Sequence, residues 1–254
     1  KYKIDIKFNK KIKYGLLPKP HFTTTNLSIL RDDKEIGVVK NFKINFKGNN
    51  LLLSKGVKFA NLTFNGCDFN IYQEDLIFFE ELLKTEPSEN KIVIKNSNIF
   101  FKNDNNDILF INKIKKSEFY YDAYNLVNVL KSKNEIFNIP YKLMIKNDKF
   151  NKLVLSEFNS QKIRLNIENQ ISYDSEIQQG LMKVSFVNQT TSLNYKLNKN
   201  SLDFSTEGQK NQYNGFIEFK PFYLKANFDY DGISTKSWFN ENSVLYNLIK
   251  SELF

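Results

Sequence analysis

The chain of 254 residues is 41% hydrophobic and 15% aromatic, which excludes a disordered or low-complexity class. A single cysteine, Cys67, and a single histidine, His21, exclude an intramolecular disulfide and any metal site built from several cysteines or histidines. The net charge of +9 would suit an anionic partner. Only Arg31 and Arg164 are arginine, however, so we interpret most of the lysines as a solvated surface and expect no nucleic acid as partner.

Apolar and polar residues alternate along most of the chain, which places the apolar side chains on one face of a β-strand. The pattern starts in residues 2–8 and returns in residues 41–47, where Gly48 and two asparagines end it. It returns again in residues 57–64, where its phase shifts between Phe59 and Leu62 as a β-bulge would require. Further alternating runs cover residues 91–101, 108–114, 141–146, 153–158, 163–167, 182–186, 193–197, 216–219 and 223–230.

Two segments depart from this rhythm. Residues 74–84 have helical spacing of apolar positions and end before Pro87, and Ser243 can cap a short C-terminal helix. Residues 121–131 fit either a helix or a strand. The sequence therefore predicts a mainly β fold, a long antiparallel meander curved into an open groove, with one or two short helices. A weak boundary divides it into an N-terminal segment, 1–86, and a continuing meander, 87–254, unless the two form one domain.

A catalytic centre is not visible in the sequence. His21 follows Pro20 and is interpreted as a loop or strand-start residue, and Cys67 lies in an apparent turn, residues 65–68, as a partly buried small hydrophobe. Residues 227–232 are similar to the start of a calcium loop, but Trp238 stands where the bidentate glutamate is needed, so a turn is favoured. Residues 103–107 are predicted to form a hairpin tip. We expect no enzyme, no cofactor and no metal.

Three stretches, in order, resemble the AsmA family of bacterial envelope proteins. They are YGLLPKPHFTTTNLSIL in residues 14–30, LLLSKGVKFANLTFNGCDFNIYQED in residues 51–75 and KIVIKNSNIFFKNDNNDILFINKI in residues 91–114. The third has Ser97 where the family commonly has glycine. The resemblance covers about the first 115 residues and depends on the order and spacing of degenerate motifs more than on any one residue.

The resemblance implies a periplasmic protein anchored to the inner membrane, related to bridge-like lipid transfer proteins, with no catalytic residues. The family's N-terminal anchor would precede Lys1, and the expected partners are that membrane, a phospholipid or another acyl lipid, and other envelope proteins. The resemblance also implies that the sheet curls into an apolar groove, which would shelter acyl chains because each exposed methylene costs about 0.8 kcal/mol in water. The lipid-facing candidates are Ile4, Ile6, Phe8, Phe42, Ile44, Phe46, Phe59, Phe64, Ile92 and Ile94.

Three other functions compete with lipid handling. A structural or interaction domain of the envelope, involved in outer-membrane assembly, would use the same apolar face for packing and its sheet edges for recruitment. A nucleic-acid binder is favoured only by the positive charge. An enzyme would have only scattered carboxylates, since the chain has one histidine and one cysteine.

Overall fold

The computed structural model describes residues 4–47, 59–72, 90–103, 105–173, 177–186, 189–206, 212–219, 221–229 and Tyr246. Almost all of them lie in β-strands or in the tight turns between strands. Among these residues, no helix has the length and apolar character needed to cross a bilayer. Helices were predicted in residues 74–84 and after Ser243, and both lie outside the described residues apart from Tyr246.

Eight strands belong to the first part of the chain, and eight more follow. The first eight are β1 (Ile4–Phe8), β2 (Lys13–Gly15), β3 (His21–Arg31), β4 (Lys34–Phe46), β5 (Phe59–Tyr72), β6 (Lys91–Lys102), β7 (Ile108–Asp122) and β8 (Val127–Ile136). The others are β9 (Ile139–Asp148), β10 (Leu153–Ser160), β11 (Leu165–Ser172), β12 (Gln178–Phe186), β13 (Gln189–Leu197), β14 (Ser201–Ser205), β15 (Gln212–Phe219) and β16 (Phe222–Asp229).

The strands form one 16-stranded sheet, in which β1, β3 and then each later strand follow one another in chain order, while β2 pairs with β3. The path has two ends, β1 and β16, so the sheet is not closed. The predicted fold class, a mainly β and mostly antiparallel open sheet, is confirmed. The exception is β5 with β6, which pair in parallel. A parallel pair needs a crossover of a dozen or more residues, and residues 73–89 are long enough to supply it.

The chain divides into two compact units, residues 1–136 and residues 137–254. The boundary that the sequence suggested at residue 86 stays a prediction, and β5 and β6, on either side of that position, are paired within the first unit. The second unit is a plain meander, in which each of β9 to β16 pairs antiparallel with its neighbours in sequence.

A line of β-bulges crosses the first unit, and it keeps the apolar side chains on one face. Consecutive exposed residues interrupt the alternation at residues 25–26, 40–41, 95–96 and 115–116. Asn26, Gly66 and Asn96 have positive φ values of 54°, 69° and 47°, and the β7–β8 register shifts beside Lys115. Each extra residue reverses the phase of the pattern. Phe42 and Val39, three residues apart on β4, therefore contribute to the same buried cluster.

Two sequence predictions concern β5. The bulge line shows that the first is wrong, and the strand pairing confirms the second. Residues 65–68 do not form a turn, because β5 continues through them with Gly66 as a bulge residue in the left-handed region. The phase shift predicted between Phe59 and Leu62 is confirmed, since Phe46 pairs with Phe59 whereas Asn45 pairs with Asn61.

Two further regions of the chain fall in hairpins. The Asn103 N–H donates to the Asp107 carbonyl at 3.1 Å, which confirms the hairpin tip in residues 103–107. Residues 121–131, left open between helix and strand, contain the end of β7, a turn and the start of β8. The turn is built on Asp122, whose carboxylate accepts N–H bonds from Tyr124 and Asn125.

We predict that Gly66→Ala destabilises the first unit by about 1–2 kcal/mol, because a Cβ is strained at this φ. The added Cβ would also lie 3.1 Å from the Lys40 side chain. Urea denaturation measures the change in the free energy of unfolding. As a matched control, Asn26→Gly on β3 relaxes a positive φ and should change stability by less than about 1 kcal/mol. Equal stability of Gly66→Ala and the parent would contradict the strained bulge.

Candidate functional site: an apolar face on each unit

The first apolar face lies on one side of β1 and β3–β8, where directly paired residues point the same way. Four rows of paired residues cross β3 to β8, and the bulge line runs between the second row and the third. The rows are Phe22–Ile44–Leu62–Ile92–Phe119–Leu130, Thr24–Phe42–Phe64–Ile94–Ser117–Ser132, Leu27–Val39–Cys67–Ser97–Ile114–Asn134 and Ile29–Gly37–Phe69–Ile99–Asn112–Ile136.

The centre of the first apolar face is tightly packed. Leu27, Val39 and Cys67 have no exposed surface and Phe42 is 5% exposed, so these side chains form a core. The rings of Phe42 and Phe64 lie 4.8 Å apart, close enough for a favourable aromatic contact. Full burial of an aliphatic or aromatic side chain contributes about 1.5–3 kcal/mol, so this cluster stabilises β3–β5 strongly.

Ile4 begins β1, and the other nine lipid-facing candidates lie on the first apolar face, where the structure divides them by exposure. Phe42 and Phe46 are buried, while Ile44, Phe64, Ile92 and Ile94 are partly covered by neighbouring side chains. Phe59 is 36% exposed where the strands end, and the β1 residues Ile6 and Phe8 are 41% and 46% exposed at the sheet edge. The exposed part of the stripe is therefore its rim.

The opposite face of the first unit carries ladders of polar side chains, although the buried Val93 and Val129 also lie on it. Asn98 donates to the Asp68 carboxylate at 2.8 Å, and Asn96 donates to the Asn65 amide oxygen at 3.0 Å. Lys91 and Lys116 lie 2.8 Å and 2.9 Å from the Glu118 carboxylate. Hydrogen bonds from these two ammonium groups lower the pKa of Glu118 below its usual value, so this carboxylate stays ionised.

The second apolar face lies on one side of β9–β16 and differs from the first in its exposure. Its aliphatic and aromatic side chains are mostly half-buried, so they are neither packed into a closed core nor fully exposed to water. The other side of the same strands is mostly polar, although Leu155 and Leu181 also lie on it. The apolar rows include Leu143–Phe158–Ile167–Val184, Ile145–Ser156–Asn169–Met182–Leu193, Asn147–Val154–Ile171–Gly180–Tyr195–Phe204 and Leu197–Leu202–Ile217–Leu224.

Glycine creates space for aromatic rings in the third of these rows. A Cβ on Gly180 would lie 2.1 Å from the Tyr195 ring, so the ring covers the glycine backbone. The Tyr195 hydroxyl donates to Asn169 Oδ1 at 2.7 Å, and its pKa is raised, chiefly by burial. The polar groups of Tyr195 and Asn169 inside the second apolar face are thus bonded to each other.

Two open depressions lie on the polar side of the second unit. The larger, about 590 Å³, lies over β12–β16, and the smaller, about 310 Å³, lies over β9–β12. Asn227 donates to the Asn214 amide oxygen at 3.0 Å on the wall of the larger one. Sequence reasoning missed both, because their residues come from the strand face that alternation assigns to solvent. Their polar linings include Gln179, Asn194, Lys196, Asp203 and Lys225 in the larger, and Lys146, Glu157, Glu168 and Lys183 in the smaller.

The single histidine and the single cysteine, which were considered as catalytic residues, are held by contacts with the backbone and the core. His21 begins β3, as predicted, and its Nδ1 lies 2.7 Å from the Lys19 carbonyl oxygen. Cys67 is fully buried rather than partly buried, its N–H donates to the Ser97 hydroxyl at 3.0 Å, and burial raises the pKa of its thiol from 9.0 to about 11. Within the described ranges, no three His, Cys, Asp or Glu side chains lie close enough to hold a metal ion.

Because the thiol of Cys67 is buried and its pKa is about 11, we predict very slow alkylation by iodoacetamide at pH 8 in the folded protein. The raised pKa lowers the reactive thiolate fraction by about a hundredfold, since each unit of pKa is a factor of ten. Mass spectrometry follows the adduct, and the chain unfolded in urea provides the control, which should react rapidly. Equal rates in both states would contradict the buried thiol.

No family model matches this chain, and no curated protein matches it. The resemblance of residues 14–114 to AsmA proteins therefore stays a prediction from the sequence. A functional argument for this chain has to come from its own side chains. What those side chains offer is a separation of apolar from polar groups by sheet face, in each unit.

Proposed function

We propose that this chain is a non-enzymatic module of envelope biogenesis in the periplasm, which presents an apolar β-surface to phospholipid during its transfer between membranes. The observation that carries the proposal is the second apolar face, whose overlapping rows together cover β9 to β16 while most of their aliphatic and aromatic side chains stay half-buried. A face that is accessible along its length can hold an acyl chain at successive positions.

The energetics of an acyl chain support this use of the face. Each methylene removed from water contributes about 0.8 kcal/mol, so partial shelter along a chain of methylenes sums to several kcal/mol. Burial is non-directional, and it therefore needs no convergent polar groups. Aliphatic residues such as Ile167, Val184 and Leu193 provide this shelter on the second apolar face without fixing one ligand position.

The AsmA resemblance supports the cellular part of the proposal. Two of its stretches fall largely on strands of the first unit: residues 14–30 run from β2 into β3, and residues 91–114 span β6 and part of β7. Residues 59–72 of the stretch 51–75 form β5. An AsmA-like protein would be anchored in the inner membrane and extend into the periplasm, where lipid must cross an aqueous gap. Localisation and phospholipid are both parts of this proposal.

Native mass spectrometry and lipid extraction test the proposal, using protein purified without detergent. We expect phospholipid to co-purify with the chain. We predict that Leu193→Glu, which places a charge on the second apolar face, lowers the bound lipid at least about tenfold, because an unpaired carboxylate next to acyl chains is strongly unfavourable.

Asn194→Glu is the matched control, since Asn194 is the next residue of β13 and points to the polar side. This variant should retain lipid, and circular dichroism should show the same strand content in both variants. A lipid-free parent protein, or equal lipid loss in the two variants, would refute the transfer function.

A second candidate function, a scaffold that recruits another chain, is favoured by the edge strand β16. Phe222 is 75% exposed and Phe228 is 60% exposed on this strand, which ends the sheet path. Leu224 between them is 53% exposed. Exposed apolar residues on an edge strand promote pairing with a further strand.

Cross-linking in envelope extracts tests the scaffold. If β16 recruits a strand, Phe222→Lys/Phe228→Lys should abolish one specific cross-linked product, identified by mass spectrometry, while Leu155→Lys on β10, away from the edge, should leave it intact. Leu155 is 40% exposed, so this control changes a comparably accessible apolar residue. A chain that remains monomeric and captures no envelope protein speaks against recruitment.

A further inference from the structure

Three lysines lie side by side on the polar face of the first unit. Lys95 of β6 pairs directly with Lys116 of β7, and Lys116 pairs directly with Lys133 of β8. Neighbouring strands are about 4.8 Å apart, and directly paired residues point to the same side of the sheet. We call Lys95, Lys116 and Lys133 the lysine row. Like charges in direct opposition destabilise a sheet, so folding works against this arrangement.

The acids around the lysine row neutralise only its central member, Lys116. Glu118 is bonded to Lys91 and Lys116 at 2.8 Å and 2.9 Å. Glu135 lies 3.4 Å from Lys113 and 3.5 Å from Lys115, which are both lysines outside the row. In the part of the chain that the structure describes, neither Lys95 nor Lys133 forms an ion pair.

The cations also lie further out than the acids. The side chains of Glu118 and Glu135 are 22% and 21% exposed, whereas those of Lys113, Lys115 and Lys116 are 57%, 64% and 48% exposed. The outer layer of this surface is therefore positive over three adjacent strands. It presents charges in two dimensions, laterally across strands and along each strand at alternate residues.

We propose that the lysine row binds the phosphate groups of an anionic lipid bilayer, with the polar face of the first unit lying against the membrane surface. A bilayer offers a planar array of phosphates, which matches a planar array of ammonium groups on a sheet. Basic residues near such a surface are attracted by its negative potential. This surface is separate from both apolar faces, so the proposal holds equally for a transfer module and for a scaffold.

Single-stranded nucleic acid fits this surface less well, because such binding needs aromatic faces on which bases can stack. The aromatic side chain near the row on the same face is Tyr120. Lys91 and Lys131 lie 5.4 Å and 5.8 Å from its ring centroid, and both ammonium groups cover the ring. Among the described residues beside the lysine row, the face therefore provides cations for phosphate and its one ring is covered by ammonium groups.

Vesicle flotation tests the proposal on the full chain. We expect binding to vesicles of phosphatidylcholine mixed with phosphatidylglycerol, weaker binding as salt rises, and none to phosphatidylcholine alone. Lys95→Gln/Lys133→Gln should weaken binding about thirtyfold, since each lysine near an anionic surface contributes about a fivefold factor. The same variant should unfold at a higher urea concentration than the parent, because it removes like-charge repulsion while leaving the Lys116–Glu118 ion pair.

The control variant is Lys183→Gln/Lys196→Gln, which removes the same charge from the second unit. Lys183 pairs with Glu168 and Lys196 pairs with Asp203, so these lysines already face an acid. It should bind vesicles like the parent. The proposal is overturned if the parent does not bind anionic vesicles, if the control loses as much affinity as the row variant, or if the chain binds nucleic acid duplex and no vesicle. None of these results decides whether phospholipid co-purifies with the chain. Failure of the membrane-binding proposal can therefore be distinguished from failure of the transfer function.

Discussion

The structure depends on one constraint, that within each unit every strand keeps its apolar side chains mainly on one side of the sheet. A strict alternation would fail in the first unit, where the long strands β3 to β7 contain an extra residue each. The bulge line meets the constraint by placing these residues next to one another on adjacent strands. Asn26, Gly66 and Asn96 take left-handed φ values there, and the apolar rows continue on both sides. The core at Leu27, Val39 and Cys67 lies directly beside this line.

This constraint also explains why the two faces have such different chemistry. Side chains that point to the apolar face gain from burial, and those on the other face remain in contact with water and with one another. Amide and carboxylate ladders such as Asn98–Asp68 stiffen the polar face, and the lysines are displaced towards its outer surface. Any function that uses lipid chains belongs to one side of such a sheet, and any function that uses charge belongs to the other.

The sequence was sufficient for the fold class and for much of the apolar stripe, because period-2 alternation is a local property. Phe42, Ile44 and Phe46 could be placed on one face without a structure. Other features needed the strand pairing. Asn65 and Gly66 are as common in turns as in bulges, and only the continuation of β5 decides between them. Residues 59–72 and 91–102 contain no sequence pattern that predicts the parallel pairing of β5 with β6.

The polar side was harder to foresee than the apolar one, for a physical reason. Lys95, Lys116 and Lys133 are far apart in sequence, and each alone is an ordinary solvated residue. Only the register brings them together. The same holds for the depressions on the second unit, whose walls come from several strands. Burial can be predicted one strand at a time, whereas a charged surface depends on neighbours.

The unclosed strand order in the second unit has a consequence for how such a chain can change in evolution. Each strand from β9 to β16 pairs with its neighbours in sequence, so the strands of this unit are added to the sheet in chain order. A hairpin gained or lost by duplication or deletion would widen or narrow the sheet without repacking a closed core. Every added strand would extend the apolar face by about 4.8 Å. The extent of the apolar face can therefore change through the number of strands alone.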